Sequence, residues 1–256
     1  MSFRTYIHGA QNRTLGRPIL TKVVAVNGSP SMEKGSTAVV LNAFLGGTKE
    51  AGATAELFYA NRLKIKDCAA DFDCWWKTPG KCITQDDMQQ VYPKLREADI
   101  LVLATPVYIP LPSVMQNFLN RLCPLMEPSL EWREGRTRAK FHDNIKISKI
   151  VLVATSGWWE LGNFGTVIRI AEELAKDCGQ ELAGAVLRPH AFLMNQNKTK
   201  AEEVLKAAKK AGFQLVKEGR MSKEVLDTIS QPLISEKELR QWYNQHYEKV
   251  KNKKTT

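Results

Sequence analysis

The chain has 256 residues, of which 43% are hydrophobic and 25% are charged, the composition of a globular protein whose core needs no disulfides or structural metal ions. Its formal net charge is +10, but the basic residues are spread along the chain and the lysine-rich end at 249–254 is typical of a solvated tail, so we expect no nucleic-acid partner. No apolar run approaches the roughly 18 residues of a membrane span, and residues 1–9 lack the apolar segment of a secretion signal, so we expect a cytoplasmic protein without membrane contact.

The first 60 residues predict an arm, two strands and one helix. Residues 1–20 are polar, and we interpret them as an N-terminal arm. The apolar, β-branched run at 22–26 predicts a buried parallel strand. A helix is predicted to begin at Ser36, with Gly46-Gly47 weakening its far end, and a second strand is predicted at 55–59.

The rest of the chain continues to alternate strands with helices. Further buried strands are predicted at 100–105, 150–155 and 182–187. Helices are predicted at 86–97, capped by Thr84 or Asp86, and at 113–122 and 163–178. Three segments stand outside this alternation: a cysteine-bearing loop at 63–85, a polar insertion or lid without clear periodicity at 123–148, and a helical C-terminal extension at 196–256 that breaks around Gly219 and Pro232.

This alternation predicts a doubly wound α/β protein with a parallel sheet. Five strands favour the flavodoxin-like order over the six-stranded dinucleotide-binding fold. We therefore expect a flavodoxin-like three-layer sandwich over residues 21–195, followed by the helical extension. Ligands of such sheets bind outside the carboxyl ends of the strands, so the loops after the first, third and fourth strands are the ones to examine.

The loop after the first strand has the composition of a phosphate site. It reads Asn27-Gly-Ser-Pro-Ser-Met-Glu-Lys-Gly-Ser-Thr37 and leads into a helix, whose free N–H groups and positive dipole end favour an anion. Glycines allow a tight backbone, and four hydroxyls accompany them: Ser29, Ser31, Ser36 and Thr37. No G-K-[ST] triplet and no G-x-G-x-x-G motif occurs in it. A turn with a serine cap is the alternative interpretation.

The loop after the fourth strand suits a flat aromatic ligand. Ser156, Gly157 and Trp158 stand at its start. Backbone N–H groups beside a glycine can reach the polar edge of a ring, and an indole can cover its face. The alternative is a tryptophan that packs on the core or on a partner subunit.

Three of these segments resemble a known family. Gly28-Ser29-Pro30 followed by Gly35-Ser36-Thr37, and Ala104–Tyr108 followed by Phe118–Arg121, resemble motifs of the NADPH-dependent FMN reductases. The cysteine loop makes the resemblance closer to their relatives, the iron–sulfur flavoproteins. The resemblance covers residues 22–190. One departure is Asn120, which stands where those proteins usually have an aspartate before the arginine.

The resemblance implies FMN and a nicotinamide co-substrate, NADH or NADPH. FMN is expected rather than FAD because no second phosphate-binding loop is evident. The residues expected to hold FMN are Ser29, Ser31, Ser36 and Thr37 at the phosphate and Pro106, Val107, Tyr108, Ser156, Gly157 and Trp158 at the ring. A homodimer or homotetramer is also implied, with Trp75, Trp76 and the insertion as contacts.

The cysteines depart from the pattern of the iron–sulfur flavoproteins. Those proteins have four cysteines in one compact run, whereas here Asp71 occupies the second position of the run Cys68, Asp71, Cys74 and Cys82. Iron–sulfur clusters are held best by thiolates, so we expect no stable four-iron cluster, with a labile cluster held by these four residues as the alternative. Cys123 follows a later helix and is not counted as a ligand.

The function expected from the sequence is that of an FMN-dependent NAD(P)H oxidoreductase. Electrons would pass from the nicotinamide through FMN to an acceptor that the sequence leaves open: a quinone, free flavin, a metal ion or a protein. No catalytic side chain is expected, because the flavin carries the chemistry. The alternative is an electron carrier of the iron–sulfur flavoprotein type that works between protein partners.

Overall fold

The computed structural model describes residues 20–253, so the predicted arm lies outside the described residues except for Leu20. Within this range the strands are β1 (Lys22–Asn27), β2 (Thr54–Tyr59), β3 (Ile100–Pro106), β4 (Met126–Arg133), β5 (Arg136–Phe141), β6 (Lys149–Thr155) and β7 (Glu181–Arg188). The α-helices are α1 (Ser36–Glu50), α2 (Asp73–Trp76), α3 (Met88–Glu97), α4 (Ser113–Asn120), α5 (Gly165–Asp177), α6 (Lys198–Glu218), α7 (Lys223–Ser230) and α8 (Glu236–Lys253).

Five parallel strands form the central sheet in the order β2-β1-β3-β6-β7. Strands β1, β3 and β6 lie in the middle and are buried on both faces, which is why their sequences are continuous apolar runs rather than alternating ones. The order is the flavodoxin-like one, so the predicted fold class is confirmed.

Helices cover both faces of the sheet. On one face, Val23 and Ala25 of β1 pack in a core shared with α1 and α6. On the other face, Val24 and Val26 pack in a core shared with α3 and α4, and α5 covers β6 beside them. The alternation of side chains along one strand thus builds two separate hydrophobic layers.

The predicted insertion is more regular than its polar sequence indicated. Strands β4 and β5 within it form an antiparallel hairpin with a bulge between Glu127 and Glu131. Phe141 N donates to Cys178 O (3.0 Å), just beyond the end of α5, and Ser148 N donates to Asp99 O (3.0 Å), just before β3. The segment therefore runs along the amino-terminal edge of the sheet and does not form a lid over the loops at the carboxyl ends.

The C-terminal extension breaks where the sequence predicted. Helix α6 ends at Gly219, whose φ of 73° is the left-handed conformation that glycine adopts without strain, and Pro232 lies between α7 and α8. Helix α6 packs along α1, with Gly212 and Gly47 at the crossing.

Helix α1 continues through Gly46-Gly47 to Glu50, so the segment that these glycines are predicted to weaken is helical. A Cβ at Gly47 would collide with the carbonyl of Lys209, and a Cβ at Gly212 would collide with the carbonyl of Phe44. These glycines allow two helix backbones to approach closely, and the buried contact outweighs their low helix propensity.

Alanine substitutions in α1 separate these two effects. Gly47→Ala forces α1 and α6 apart, and we expect it to lower the free energy of unfolding by about 1–3 kcal/mol, the usual cost of overpacking. Gly46→Ala is the matched control, because a Cβ there meets nothing within 4 Å; we expect it to be neutral or to stabilise by up to about 1 kcal/mol. Urea denaturation followed by circular dichroism measures both, and equal effects of the two variants would contradict the proposed role of the crossing.

Candidate functional site

The loops after β1, β3 and β6 meet at the carboxyl edge of the sheet, as the topology predicted. Gly28 N donates to Ala104 O at 2.8 Å, which joins the first loop to β3. Val107 N donates to Thr155 O at 2.7 Å, which joins the loop after β3 to the end of β6. The three predicted segments therefore form one continuous surface.

The loop between β1 and α1 folds back on itself around a small space. Asn27 Oδ1 accepts a hydrogen bond from Ser29 N (2.8 Å), which fixes the first turn. A Cβ at Gly35 would lie 2.9 Å from Ser29 Oγ and 3.0 Å from the Cβ of Ser31, so this glycine keeps the space open. The first N–H groups of α1, at Ser36 and Thr37, have no earlier helical turn to bond. Hydroxyls, free N–H groups and a positive helix end around one space fit a phosphate monoester.

The four predicted hydroxyls differ in exposure. Ser29 and Thr37 are buried, Ser36 is half-buried and Ser31 is exposed. The Thr37 and Thr155 hydroxyl oxygens are 2.7 Å apart, so the start of α1 is tied to the end of β6. Thr37 therefore holds the helix in place as well as lining the loop.

Two polar residues at strand ends were missed from the sequence. Thr155 is one of them. The other is Asn27, whose Nδ2 is buried without a hydrogen-bond partner among the described residues, although buried polar atoms are nearly always paired. A polar side chain at the last position of an otherwise apolar strand was the available signal for both.

The part of this surface that is expected to face a ring, formed by the loops after β3 and β6, is apolar and open to solvent. Pro106 and Val107 are half-buried, whereas more than half of the side chains of Tyr108 and Trp158 is exposed. Ser156 is buried, and its Oγ accepts the N–H of Trp158 at 3.0 Å, which turns the loop beside Gly157.

Trp158 also packs against the C-terminal extension of its own chain. Its ring lies 5.6 Å from that of Tyr243 in α8, measured between centroids. Neither sequence interpretation, a ligand contact or packing on the core or a partner subunit, included this contact with α8 of the same chain.

A buried ion pair anchors the cysteine loop. Arg121 follows α4 and Asp86 precedes α3, and each side chain is 1% exposed. Arg121 Nη1 donates to Asp86 Oδ2 (2.5 Å) and to Lys66 O (2.6 Å), and Asp86 also accepts N–H groups of Lys66 and Met88. Burial by itself raises the pKa of Asp86, but these hydrogen bonds outweigh it and hold the pKa below its ordinary value.

The carboxylate that pairs with Arg121 is remote from it in sequence. Asn120 is exposed and accepts a hydrogen bond from Gln116 (2.9 Å), so it takes no part in the ion pair. The carboxylate comes from Asp86 at the end of the cysteine loop instead. The loop and α4 are thereby joined by a buried charge pair.

Four cysteines line one cavity of about 310 Å³, together with Asp71 and Arg121. They are Cys68, Cys74, Cys82 and Cys123. Cys123, which sequence spacing did not include, has its Sγ 3.8 Å from that of Cys74, and burial raises the pKa of Cys74 to about 12. In residues 20–253, no group of three or more His, Cys, Asp or Glu side chains is already arranged to hold a metal ion.

The remaining cysteine lies elsewhere. Cys178 is fully buried at the end of α5. No helix in residues 20–253 is long and apolar enough to cross a bilayer.

The comparison with protein families identifies one match. A family model described as NADPH-dependent FMN reductase matches residues 21–199. An iron–sulfur flavoprotein of Methanocaldococcus jannaschii is 30% identical over 175 residues, which cover 68% of this chain and 72% of that protein. An iron–sulfur flavoprotein of Archaeoglobus fulgidus is 32% identical over 101 residues, 39% of this chain and 48% of that protein. The chain thus spans about half the length of the second relative.

Solved structures share the fold at lower identity. An NAD(P)H:quinone oxidoreductase from Methanothermobacter marburgensis has a TM-score of 0.54 at 20% identity, over 77% of this chain and 97% of that one. An azoreductase from Bacillus anthracis has a TM-score of 0.54 at 18% identity, over 78% of this chain and 100% of that one.

Breaking the buried ion pair should destabilise the protein. Asp86→Asn leaves Arg121 buried without a counter-charge, and we expect it to lower the free energy of unfolding by about 3–5 kcal/mol. Because the pKa of Asp86 is lower in the folded protein than its ordinary value of 3.8, its contribution is present above that pH and lost as the pH falls through the folded pKa. The difference between wild type and variant should therefore shrink in acid, measured by urea denaturation at several pH values.

The matched control is Glu97→Gln. Glu97 pairs with Lys22 at 2.6 Å, but both side chains are about half exposed, so we expect little change in stability. A destabilisation by Asp86→Asn no larger than that of the control would show that the ion pair does not anchor the loop.

Proposed function

The chain belongs to the NADPH-dependent FMN reductase family, and from that premise we propose that it is an FMN-dependent oxidoreductase that takes electrons from NADH or NADPH and passes them to a quinone, free flavin, a metal ion or an electron-transfer protein. Bound FMN supplies the group that accepts the hydride and releases the electrons. The protein supplies the binding surface, the orientation and the polar environment.

The observation that carries the proposal is the space kept open by Gly35 at the start of α1. Ser29 and Ser31 border that space, and Ser36 and Thr37 bring free N–H groups to it. The unpartnered Nδ2 of Asn27 is a further donor at this edge of the sheet. A phosphate bound here would satisfy donors that the protein alone leaves unpaired.

The open surface beyond the phosphate space suits an aromatic ring. Pro106, Val107 and Tyr108 border it from β3, and Ser156, Gly157 and Trp158 border it from β6. The hydrogen bond from Trp158 N to Ser156 Oγ fixes the second of these loops, so its backbone is positioned before a ligand arrives. Preorganisation of this kind lowers the cost of binding.

We also propose that the chain forms a homodimer or homotetramer. Trp76 is 68% exposed on α2 and Trp132 is 75% exposed on the hairpin, and large exposed aromatic side chains are enriched at interfaces. Trp75 contributes less to such a surface, because it is half-buried and its Nε1 donates to Cys123 O at 3.1 Å.

Anaerobic mixing tests the reaction. With FMN bound, we expect NADH or NADPH to bleach the flavin absorbance, and a quinone added afterwards to restore it. Reduction by dithionite is the control, because it shows that the bound flavin accepts electrons from a chemical donor. A flavin that dithionite reduces but both nucleotides leave oxidised would favour the electron carrier over the reductase.

Substitutions of Ser29 in the loop and of Thr37 in α1 test the phosphate site. Thr37→Val and Ser29→Ala should each weaken FMN binding by about 1.5–3 kcal/mol, the worth of a hydrogen bond to a charged group. Thr48→Val is the matched control, because the Thr48 hydroxyl is equally buried in the same helix and donates to Leu45 O (2.8 Å) far from the loop. Titration of the apoprotein with FMN measures all three, and an unchanged affinity in the Ser29, Thr37 double variant would place the phosphate elsewhere.

A further inference from the structure

The cysteine cavity gathers thiols from two distant parts of the chain. Cys68, Cys74 and Cys82 come from the loop between β2 and α3, whereas Cys123 follows α4. The sequence indicates three thiols and a carboxylate, but the folded chain brings four thiols to one cavity.

Two contacts hold Cys123 against the loop. Its backbone carbonyl accepts a hydrogen bond from Trp75 Nε1 at 3.1 Å, and its Sγ is 3.8 Å from that of Cys74. These contacts tie the residue to both members of the Cys74-Trp75 pair. Cys123 is therefore held in the cavity wall by specific contacts.

The buried ion pair fixes the opposite side of the cavity. Arg121, two residues before Cys123, donates through Nη2 to Cys82 Sγ at 3.4 Å, while its other contacts hold Asp86 and Lys66. One guanidinium thus positions Cys82 and, through the short chain segment, Cys123.

We propose that Cys123 is the fourth thiolate ligand of an iron–sulfur cluster held by Cys68, Cys74 and Cys82. The cluster would give the protein a redox group in addition to FMN, and this role rests on the proposed function. Binding of the cluster to the four cysteines does not depend on the proposed function. This proposal replaces the expectation of no stable cluster, which counted three thiolates because Cys123 is remote in sequence.

The number of thiols around one cavity, rather than the single sulfur–sulfur distance between Cys74 and Cys123, favours a cluster over a single zinc ion. Zinc bonds of 2.3 Å in a tetrahedron place the four sulfurs about 3.8 Å apart. Cys74 and Cys123 have that separation, but in residues 20–253 no third ligand joins them in an arrangement for one ion. Four thiols around about 310 Å³ instead suit a larger inorganic group with four cysteine ligands.

Asp71 is not needed as a ligand. It is exposed, and its Oδ1 accepts the N–H of Asp73 at 3.0 Å, a local turn that accounts for an aspartate there. Thiolate sulfur also matches iron in a cluster better than carboxylate oxygen does. With Cys123 in place, the cluster has its four ligands without Asp71.

Metal content tests the proposal on the full chain. Protein purified without air and reconstituted with ferrous and ferric iron and sulfide should hold about four iron and four sulfide per chain if the cluster is of the four-iron type, with FMN bound as well. Cys123→Ser should lose more than half of the iron and sulfide and the electron paramagnetic resonance signal after dithionite reduction. Asp71→Asn and the matched control Cys178→Ser should retain both.

FMN content separates this proposal from the proposed function. It should be the same in the wild type and in all three variants, which also shows that each variant folds. Wild-type iron and sulfide in Cys123→Ser, loss of iron in Asp71→Asn, zinc without sulfide in the wild type, or a Cys74–Cys123 disulfide without iron in anaerobic protein would each overturn the proposal.

Discussion

The ion pair between Arg121 and Asp86 is the interaction on which the cysteine side of the molecule depends. Both charges are buried, and neither can remain there without the other, because an unpaired charge in a protein interior is costly. Backbone groups of Lys66 bond to both members of the pair, the N–H to Asp86 and the carbonyl to Arg121, and the Tyr92 hydroxyl donates to the main-chain carbonyl of Arg121 (2.8 Å). Helices α3 and α4 and the cysteine loop that precedes α3 therefore share one polar centre inside an otherwise apolar layer.

The two sites of this chain arise from different physical causes. The phosphate and ring surface follows from topology, because parallel strands in this order bring their carboxyl ends and helix starts to one edge. The cysteine cavity does not follow from topology. It depends on a long irregular loop that has no ladder of hydrogen bonds of its own and is held by side chains, chiefly Arg121 and Trp75. The sheet order alone brings the loops of the first proposed site together, whereas the loop and α4 of the second meet only through these particular contacts.

The sequence was informative where local pattern and burial agree. The central strands were located to within one or two residues because their β-branched runs admit no other buried structure, and the loops that follow them were found for the same reason. The hairpin was missed because β4 carries charged and exposed residues around a bulge, which removes its alternation. The role of Gly47 was missed because helix propensity is local, whereas Gly47 serves a close contact with the backbone of α6. Cys123 was set aside because sequence spacing does not reveal a contact between residues 49 positions apart.

The crossing of α1 and α6 also bears on how the protein comes to exist. The helix whose first turn forms the phosphate space has its apolar side covered by a helix that lies more than half of the chain further on. During synthesis on the ribosome, α1 emerges early and cannot complete its packing until Gly212 has been translated and released. Until then the apolar side of α1 lacks its cover from α6, and a chain that ends before α6 would leave the proposed phosphate space on a helix without this packing. The extension, which contributes no strand to the sheet, is by this reasoning part of the cofactor domain rather than an appendage to it.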